Sequence, residues 1–434
     1  MNERRLGESL RRAPIPDEQE AEERAWRVVR GAFESHEPMP HRLRTGRLMI
    51  AVVVGLLVLA IGLSPAGAKV ANLFKDVTGV GHHATKRALT SLPAPGRLLV
   101  RSGSGAWVVS EDGSMRFLGN YTDATWSPHG LYVAVTHGRQ LSAIAPDGTP
   151  HWSLVRRHRV SDARWSPSGY RVAYLSGSAL RVVAGDGTGD QRIEPHVARV
   201  APAWKPIGPA VLRASASGVG THLIAFATPD GRVELLNTDS QKVLWGSAPG
   251  PTPKLLEWSA DGERLLALDS GGWRLFASDG RRLVSAKSPE GVNPASASFA
   301  PRGRTLAVVE TRSGGGGVVD SGGGRVRLSE TGTKLTGLGQ TKTSQVVLVR
   351  PDRPHKVQSL LLTVPGTLGR IAWSPNGRSL LVAWREADQW LFMRPTRNTG
   401  NQHISAVSNV ARQFAPGTSG RAAFPQPLGW CCAR

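Results

Sequence analysis

The sequence contains almost no cysteine. Cys431 and Cys432, the two cysteines of this 434-residue chain, stand side by side near the C-terminus. This placement excludes a disulfide framework and a metal site made of spaced thiolates. Two alternatives remain for the pair: a small strained ring that closes outside the cytosol, or two strand residues whose side chains face opposite ways.

The motifs of common hydrolases are also missing. The sequence has no Gly-x-Ser-x-Gly nucleophile elbow and no spaced Asp-x-Asp pattern of a calcium loop. The pair His82-His83 has no third candidate ligand nearby in the sequence, whereas zinc sites use three or four protein ligands. We therefore predict no catalytic residue, no cofactor and no metal site, and we interpret the chain as not an enzyme.

Acidic residues are few compared with basic ones. The chain has 33 Asp and Glu against 54 Lys and Arg, a formal net charge of +21. Such a balance favours an anionic partner. A coding bias is the second explanation, because lysine supplies only 10 of the basic residues while arginine, glycine and alanine abound. The sequence shows no dense Lys/Arg run interleaved with aromatic residues, so nucleic acid is not expected as a partner.

What the sequence does contain is an internal repeat. Residues 123–148 and 162–187 align without a gap. Asp123 and Trp126 of the first segment recur as Asp162 and Trp165 in the second, 39 residues later. A constant period near 40 residues is typical of repeat architectures, in which each repeat is one structural unit.

Each unit begins with Trp-Ser-Pro-x-Gly and continues with short alternating runs that end in Asp-Gly. Proline and glycine favour turns, and the runs between them have the pattern of β-strands. One small sheet cannot bury both of its faces, whereas sheets stacked radially as blades bury them all. We expect the aromatic positions to pack between blades and the Asp-Gly pairs to form hairpin turns. The aromatic positions are Trp126, Trp165, Trp204, Trp258, Phe299 and Trp373, and the turn aspartates include Asp147, Asp186 and Asp279.

Six units are visible, and a seventh is divided between the two ends. Residues 97–118 hold the later strands of a unit without its beginning, and the segment from Ala422 to Cys432, with Trp430, supplies the missing strand. A blade shared in this way closes the ring without a free edge. The sequence thus predicts an all-β fold, a β-propeller over residues 97–432, with seven blades favoured and six possible.

These Trp-Ser-Pro-x-Gly units resemble the TolB-like, or WD-like (PD-type), propeller repeats of bacteria, and the resemblance covers residues 97–432. The whole chain is also similar to uncharacterised actinobacterial proteins that combine a short cytosolic segment, one membrane helix and such a propeller. The resemblance implies a fold and a binding platform rather than a reaction, because one fold hosts many functions.

The residues before the propeller predict a membrane anchor. Residues 48–68 are almost wholly apolar and long enough to cross a bilayer. Arginines precede this run, which places residues 1–47, with a helix over 17–33, in the cytoplasm. Cleavage at the small residues Ala66-Gly67-Ala68 is the alternative to an uncleaved anchor. Residues 69–96 then connect the anchor to the propeller.

Two inserts interrupt the repeat. They lie between Pro206 and Thr221 and between Thr311 and Ser344, and both are rich in small residues. Such segments pack poorly in a core. Inserts of repeat proteins usually share one face, which is often the binding face. We expect both inserts to be functionless surface loops, and the alternative is that both mark that face.

Three hypotheses of function follow. The leading one is a single-pass membrane protein whose extracytoplasmic propeller is a non-catalytic binding or scaffold module for a protein or an anionic cell-envelope polymer. The second is a transmembrane signalling sensor similar to anti-sigma factors, although residues 1–47 lack the cysteines of their zinc motif. The third is an enzyme that works in the propeller channel, for which no His/Asp constellation stands out.

Overall fold

The computed structural model is a seven-bladed β-propeller. It describes residues 85–86, 89, 91–207, 222–302, 304–313, 320–321, 324–325, 342–351, 353–395, 403–414 and 423–432. Every blade is built on four antiparallel strands, and six of the blades take these strands in chain order from the centre outwards. The prediction of a seven-bladed all-β propeller is confirmed, and the six-bladed alternative is wrong.

The strands of the first three blades have the following bounds. The chain enters through β1 (Thr85–Lys86), β2 (Arg97–Ser102), β3 (Gly105–Val109) and β4 (Met115–Gly119). Blade 2 holds β5 (Asp123–Trp126), β6 (Val133–His137), β7 (Gln140–Ile144) and β8 (Pro150–Val155). Blade 3 holds β9 (Val160–Trp165), β10 (Arg171–Ser176), β11 (Ala179–Ala184) and β12 (Gln191–Glu194).

The remaining strands complete the ring. Blade 4 holds β13 (Ala203–Trp204), β14 (Leu223–Ala227), β15 (Val233–Asn237) and β16 (Lys242–Gly246). Blade 5 holds β17 (Leu255–Trp258), β18 (Arg264–Leu268), β19 (Gly272–Ala277) and β20 (Arg282–Lys287). Blade 6 holds β21 (Val292–Phe299), β22 (Leu306–Ser313), β25 (Lys342–Arg350) and β26 (Arg353–Pro365), with the short hairpin β23 (Asp320–Ser321) and β24 (Gly324–Arg325) in between. Blade 7 holds β27 (Leu368–Trp373), β28 (Leu380–Trp384), β29 (Gln389–Arg394) and β30 (His403–Ser408), followed by the helix α1 (Val410–Gln413) and β31 (Gln426–Cys431).

Blade 1 joins the two ends of the chain. Its innermost strand is β31, which pairs with β2 so that Leu98 lies opposite Trp430. The innermost strands contact one another in sequence around the ring, and the last contact joins β31 to β5. The predicted division of one blade between the termini is therefore confirmed. At the end of β31, the sulfur atoms of the neighbouring residues Cys431 and Cys432 lie within bonding distance of each other.

The serine of the Trp-Ser-Pro-x-Gly turn closes the turn from inside. In four blades the serine hydroxyl accepts a hydrogen bond of 2.9–3.1 Å from the backbone N–H five residues later. These buried serines are Ser127, Ser166, Ser259 and Ser374. The glycine adopts positive φ, +66° at Gly130, which favours glycine. Residues within the turn therefore specify the turn between the first and second strands of these blades.

The recurring aromatic residues stand at the ends of the innermost strands, and three of the tryptophans bridge neighbouring blades through a hydrogen bond. The indole N–H of Trp204 donates to the carbonyl of Arg164 at 2.9 Å, and that of Trp258 donates to the carbonyl of Ala203 at 3.1 Å. Trp373 repeats the contact at the carbonyl of Ser298, also at 3.1 Å. In each case the accepting carbonyl belongs to the residue just before the aromatic position of the preceding repeat unit. The same positions of the repeat therefore supply both the donor and the acceptor between neighbouring blades.

The two inserts leave the propeller on opposite faces. Because successive strands are antiparallel, the turns after the first and third strands of a blade share one face, here called the turn face. The turns after second strands and the links between blades share the other, here called the connection face. The first insert lies between β13 and β14, on the turn face, and the second lies between β22 and β25, on the connection face. The alternative that both inserts mark one face is wrong.

Several predictions concern residues outside the described ranges. They are the cytosolic helix over 17–33, the apolar segment 48–68, the pair His82-His83 and most of the connector 69–96. Among the residues that the structure does describe, no helix combines the length and apolarity needed to cross a bilayer. The described end of the connector joins the propeller, because β1 pairs in parallel with β30 at the outer edge of blade 7.

Candidate functional site

The connection face carries an exposed basic surface around blades 2 and 3. Arg139 lies in the turn between β6 and β7, and Arg157, His158 and Arg159 lie in the link from β8 to β9. Arg199 belongs to the next link, from β12 to β13. All five side chains are exposed, and we call them the basic ridge. Four arginines and one histidine therefore lie on loops of the same face, in two neighbouring blades and the links that follow them.

Backbone hydrogen bonds hold the basic ridge in place. The N–H of Arg156 donates to the carbonyl of Arg139 at 2.8 Å, which ties the link to the neighbouring turn. The N–H of Gly177, in the corresponding turn of blade 3, donates to the carbonyl of Arg159 at 2.9 Å. The ridge side chains therefore project from a backbone that is anchored at both ends.

The side chains of the basic ridge are not engaged in ion pairs. In the part of the chain that the structure describes, no carboxylate forms an ion pair with any ridge residue. The nearest carboxylates in the sequence belong to Asp162, three residues after Arg159, and to Glu194, five residues before Arg199. Unpaired charges on one face attract anions from several ångströms away, to the extent that salt does not screen them.

The innermost strands place further charges in the central channel, beside the ridge. Arg164 pairs with Asp123 at 3.3 Å across blades 2 and 3. Arg370, on β27, is exposed to the channel, and no described carboxylate lies within ion-pair distance of it. Burial among surrounding protein atoms, with repulsion from Arg164 and Arg101, lowers the pKa of Arg370, and Asp123 opposes this. A guanidinium in this setting is a ready partner for a carboxylate or phosphate group.

The backbone is irregular at Asp162, in the strand β9 that runs from the basic ridge into the channel. Asp162 has φ +57°, in the left-handed region that non-glycine residues seldom occupy. It lies where the register between β9 and β10 shifts, and its carboxylate accepts a hydrogen bond of 2.7 Å from Ser161. Irregularities of this kind re-aim side chains and cluster at functional sites. The strain therefore supports this part of the connection face as the candidate site.

A second ionisable group, the carboxyl group of Glu257, lies on β17, the innermost strand of blade 5. The carboxylate of Glu257 accepts hydrogen bonds from the backbone N–H of Phe299 at 2.8 Å and from the hydroxyl of Ser298 at 2.9 Å. It is enclosed by neighbouring atoms and only partly reached by solvent. This burial raises the pKa of Glu257 from 4.5 to about 7, against the effect of the two hydrogen bonds. Glu257 therefore changes charge near neutral pH.

The raised pKa makes stability depend on pH. Between 4.5 and about 7 the folded chain keeps a proton on Glu257 that the unfolded chain has lost, so this contribution to stability falls as pH rises through that window. We expect Glu257→Gln to reduce this decrease in the free energy of unfolding by about 1–2 kcal/mol. The value is smaller than the whole pKa shift implies, because solvent reaches the carboxyl group. Urea unfolding at pH 5 and pH 8 measures it, with Glu263→Gln, exposed on the same blade, as the control. An unchanged difference between the two pH values in Glu257→Gln would contradict the assignment.

The turn aspartates lie away from this site. Asp147 and Asp186 are in the turns before the fourth strands of blades 2 and 3, on the turn face. Each accepts a 2.9 Å hydrogen bond from the backbone N–H two residues later. Hydrogen bonds from Thr149 lower the pKa of Asp147, and those from Thr188 lower the pKa of Asp186. Asp279 repeats the contact in blade 5. These carboxylates are engaged in their own turns, and within the described ranges no three His, Cys, Asp or Glu residues come together as a metal site would need.

Sequence reasoning missed the basic ridge. The run Arg156-Arg157-His158-Arg159 is short and has no interleaved aromatic residues, so it does not look like a nucleic-acid motif. A signal was available, because the run immediately precedes the repeated Asp-x-x-Trp segment and must therefore be a link between units. Its meeting with Arg139 and Arg199 depends on which loops share a face, and the repeat alone does not show that.

Comparisons with known proteins find distant structural similarity alone. No protein-family model matches the chain, and a search of curated proteins finds no significant match. Among solved structures, Kluyveromyces lactis Hsv2p is similar at 12% identity over 75% of this chain and 96% of its own, with a TM-score of 0.47. Kluyvelomyces marxianus Hsv2 has 13% identity over 70% and 90%, with a TM-score of 0.45. Kuenenia stuttgartiensis hydrazine synthase has 13% identity over 62% and 75%, with a TM-score of 0.42.

Proposed function

We propose that this chain is a membrane-anchored, TolB-like propeller that binds an anionic polymer of the cell envelope on its connection face, without catalysis. The observation that carries the proposal is the basic ridge, whose side chains have no ion-pair partner among the described residues. The propeller stands outside the cytoplasm, joined to residues 48–68 as its anchor. The sequence supports a binding role, since it has no hydrolase motif.

A polymer suits the geometry of this face. The ridge spans the turn that holds Arg139, the link that holds Arg157 and the later link that holds Arg199, and the channel arginine Arg370 lies further inwards. A chain with repeated carboxylate or phosphate groups would meet several of these arginines at once, and linked contacts add affinity that a single group lacks. Arginine also binds such groups in a two-pronged geometry. The proposal therefore names a repeating anion rather than a small one.

Charge reversal on the ridge provides the test. We expect Arg157→Glu with Arg159→Glu to weaken binding of the full chain to polyphosphate or polygalacturonate by about tenfold or more at low salt, because repulsion replaces attraction. Binding of the unaltered chain should itself weaken as salt rises. Surface plasmon resonance on immobilised polymer, with neutral dextran as the blank, measures both effects.

The matched control lies on the other face. Arg281 and Arg282 are exposed residues at the turn before β20, on the turn face, and reversing both changes the net charge by the same amount. We expect this control to lose less than about twofold, since the loss should depend on position rather than total charge. Equal losses in both double variants, or binding to dextran, would overturn the proposal.

The anchor is tested separately, by a reporter fused after Arg434. We expect activity only outside the cytoplasm, with no cleavage near Ala68 on an immunoblot, because arginines precede the apolar run at 48–68 and the run is long enough to cross a bilayer. An exported but cleaved chain would remove the anchor and the signalling alternative. A cytoplasmic reporter would show that the assigned orientation is wrong.

A further inference from the structure

The turn face carries a cavity of about 580 Å³ between blades 2 and 3. Aromatic rings dominate its wall, and one carboxylate, that of Asp186, joins them. The rings belong to Tyr132, His151, Trp152, Trp165 and Tyr170. The cavity lies on the opposite face from the basic ridge, so the proposed polymer site does not account for it.

The rings are held in a fixed arrangement. Tyr132 stacks nearly parallel to Trp165, with centroids 6.3 Å apart and planes at 21°, and meets His151 edge-on at 4.6 Å. The indole N–H of Trp152 donates to the carbonyl of Gly185 at 2.7 Å, which positions that ring across the blade boundary. Tyr170, which also lines the cavity, is 79% exposed, so solvent reaches its ring.

The charge in this cavity is opposite to that of the chain. Lys and Arg outnumber Asp and Glu by 54 to 33, yet neither Lys nor Arg lines the cavity. Asp186 does, and hydrogen bonds from the hydroxyl and backbone of Thr188 to one of its oxygens keep the carboxylate ionised by lowering its pKa. The other carboxylate oxygen accepts no hydrogen bond within the described residues. The cavity therefore combines π-faces with one negative charge.

We propose that this cavity binds an organic cation, an ammonium head group with alkyl substituents. Ring faces attract such a cation through their negative quadrupole, and alkylated ammonium ions are favoured because they give up little hydration. Asp186 supplies the counter-charge at the edge of the cavity, and the apolar rings contact the alkyl groups. The proposal is independent of the polymer site.

The equivalent turn of blade 5 shows what is special about this one. There Trp245 also covers the next blade, donating to the carbonyl of Ser278 at 3.1 Å, and Asp279 makes the same turn contact as Asp186. At that boundary Glu263 of blade 5 stands in the place of Tyr170, and Leu244 of blade 4 stands in the place of His151. The turn is thus common to both blades, whereas the ring cluster belongs to blades 2 and 3.

Calorimetric titration of the full chain tests the proposal with choline and with 3,3-dimethylbutan-1-ol, its uncharged isostere. We expect choline to bind saturably and at least about fivefold more tightly than the isostere. Asp186→Asn should weaken choline about fivefold and leave the isostere unchanged, and Tyr170→Ala should weaken both. Asp279→Asn, the matched control, should change neither.

Further titrations show which kind of ammonium group the cavity accepts and which results would overturn the proposal. Nα-acetyl-lysine amide in place of choline shows whether a peptide lysine suffices, and either ligand supports the proposal if Asp186→Asn weakens it. Equal binding of choline and its isostere would show an apolar cavity and overturn the proposal, as would no saturable binding. The variant Arg157→Glu with Arg159→Glu should bind choline normally, so failure here and failure of the polymer site remain separate results.

Discussion

Deletion of residues 426–434 is expected to abolish the cooperative unfolding of the propeller. The deletion removes β31, the innermost strand of blade 1, and leaves the inner edge of β2 unpaired from Arg97 to Arg101. Trp430, which is 7% exposed and packs against Phe392 of blade 7 at 5.9 Å, is lost with it. These contacts close the ring, and their combined loss exceeds the roughly 5–15 kcal/mol by which a native domain is stable. Tryptophan fluorescence during urea unfolding measures the effect.

Two further variants make this result interpretable. A chain that ends at Cys432 keeps β31 whole and should unfold as the full chain does. Trp430→Ala keeps the strand and removes only its largest side chain, and we expect it to cost about 3 kcal/mol, which remains measurable if the deletion yields no soluble protein. A deleted chain with an unchanged unfolding midpoint would show that blade 1 does not need its C-terminal strand.

The second large effect is expected at Asp190, at the outer boundary of blades 2 and 3. Its carboxylate is 8% exposed and accepts from Arg156, from Arg181 and from the hydroxyl of Tyr174, each at 2.5 Å. Asp190→Asn leaves the two guanidinium groups without a counter-charge and turns an amide donor towards other donors. We expect a loss of about 2–4 kcal/mol, below the largest values for buried pairs because the arginine side chains are 25% and 23% exposed.

The control for Asp190 lies in the same loop. Asp186→Asn changes the same type of residue four positions earlier, where the side chain is exposed and an asparagine oxygen can still accept the turn hydrogen bond. Its urea midpoint should equal that of the unaltered chain. Should Asp190→Asn lose no more stability than Asp186→Asn, the four-residue network would be shown to contribute nothing to holding blades 2 and 3 together.

Much of the fold could be predicted because its determinants are local. Ser127 closes its turn on a backbone N–H five residues away, Gly130 supplies the positive φ, and Asp147 accepts from the residue two positions on. Each interaction lies within a few residues of the same repeat, so its recurrence is visible in the sequence. The unit without a Trp-Ser-Pro start likewise pointed to the shared blade, which the pairing of β31 with β2 confirmed.

The candidate site was less predictable because its parts are far apart in the chain. Arg139, Arg159 and Arg199 come from three loops that meet only because alternate turns share a face. The same alternation separates the two inserts, which one alternative from the sequence had placed on the same face. Likewise, the raised pKa of Glu257 comes from burial beside Ser298, 41 residues later, and nothing near Glu257 in the sequence announces it.

The repeat alone thus predicted the propeller, the sharing of one blade by both termini and seven blades as the favoured number, because turn chemistry and strand periodicity act over distances shorter than one unit. Tertiary structure alone decided where the charges and rings meet: the ridge on one face, the aromatic cavity on the other and the ion network at Asp190 between blades. The physical reason is that these contacts join residues of different units. The repeat period determines that units are neighbours, whereas the curvature of the ring and the direction of each strand determine which of their side chains touch.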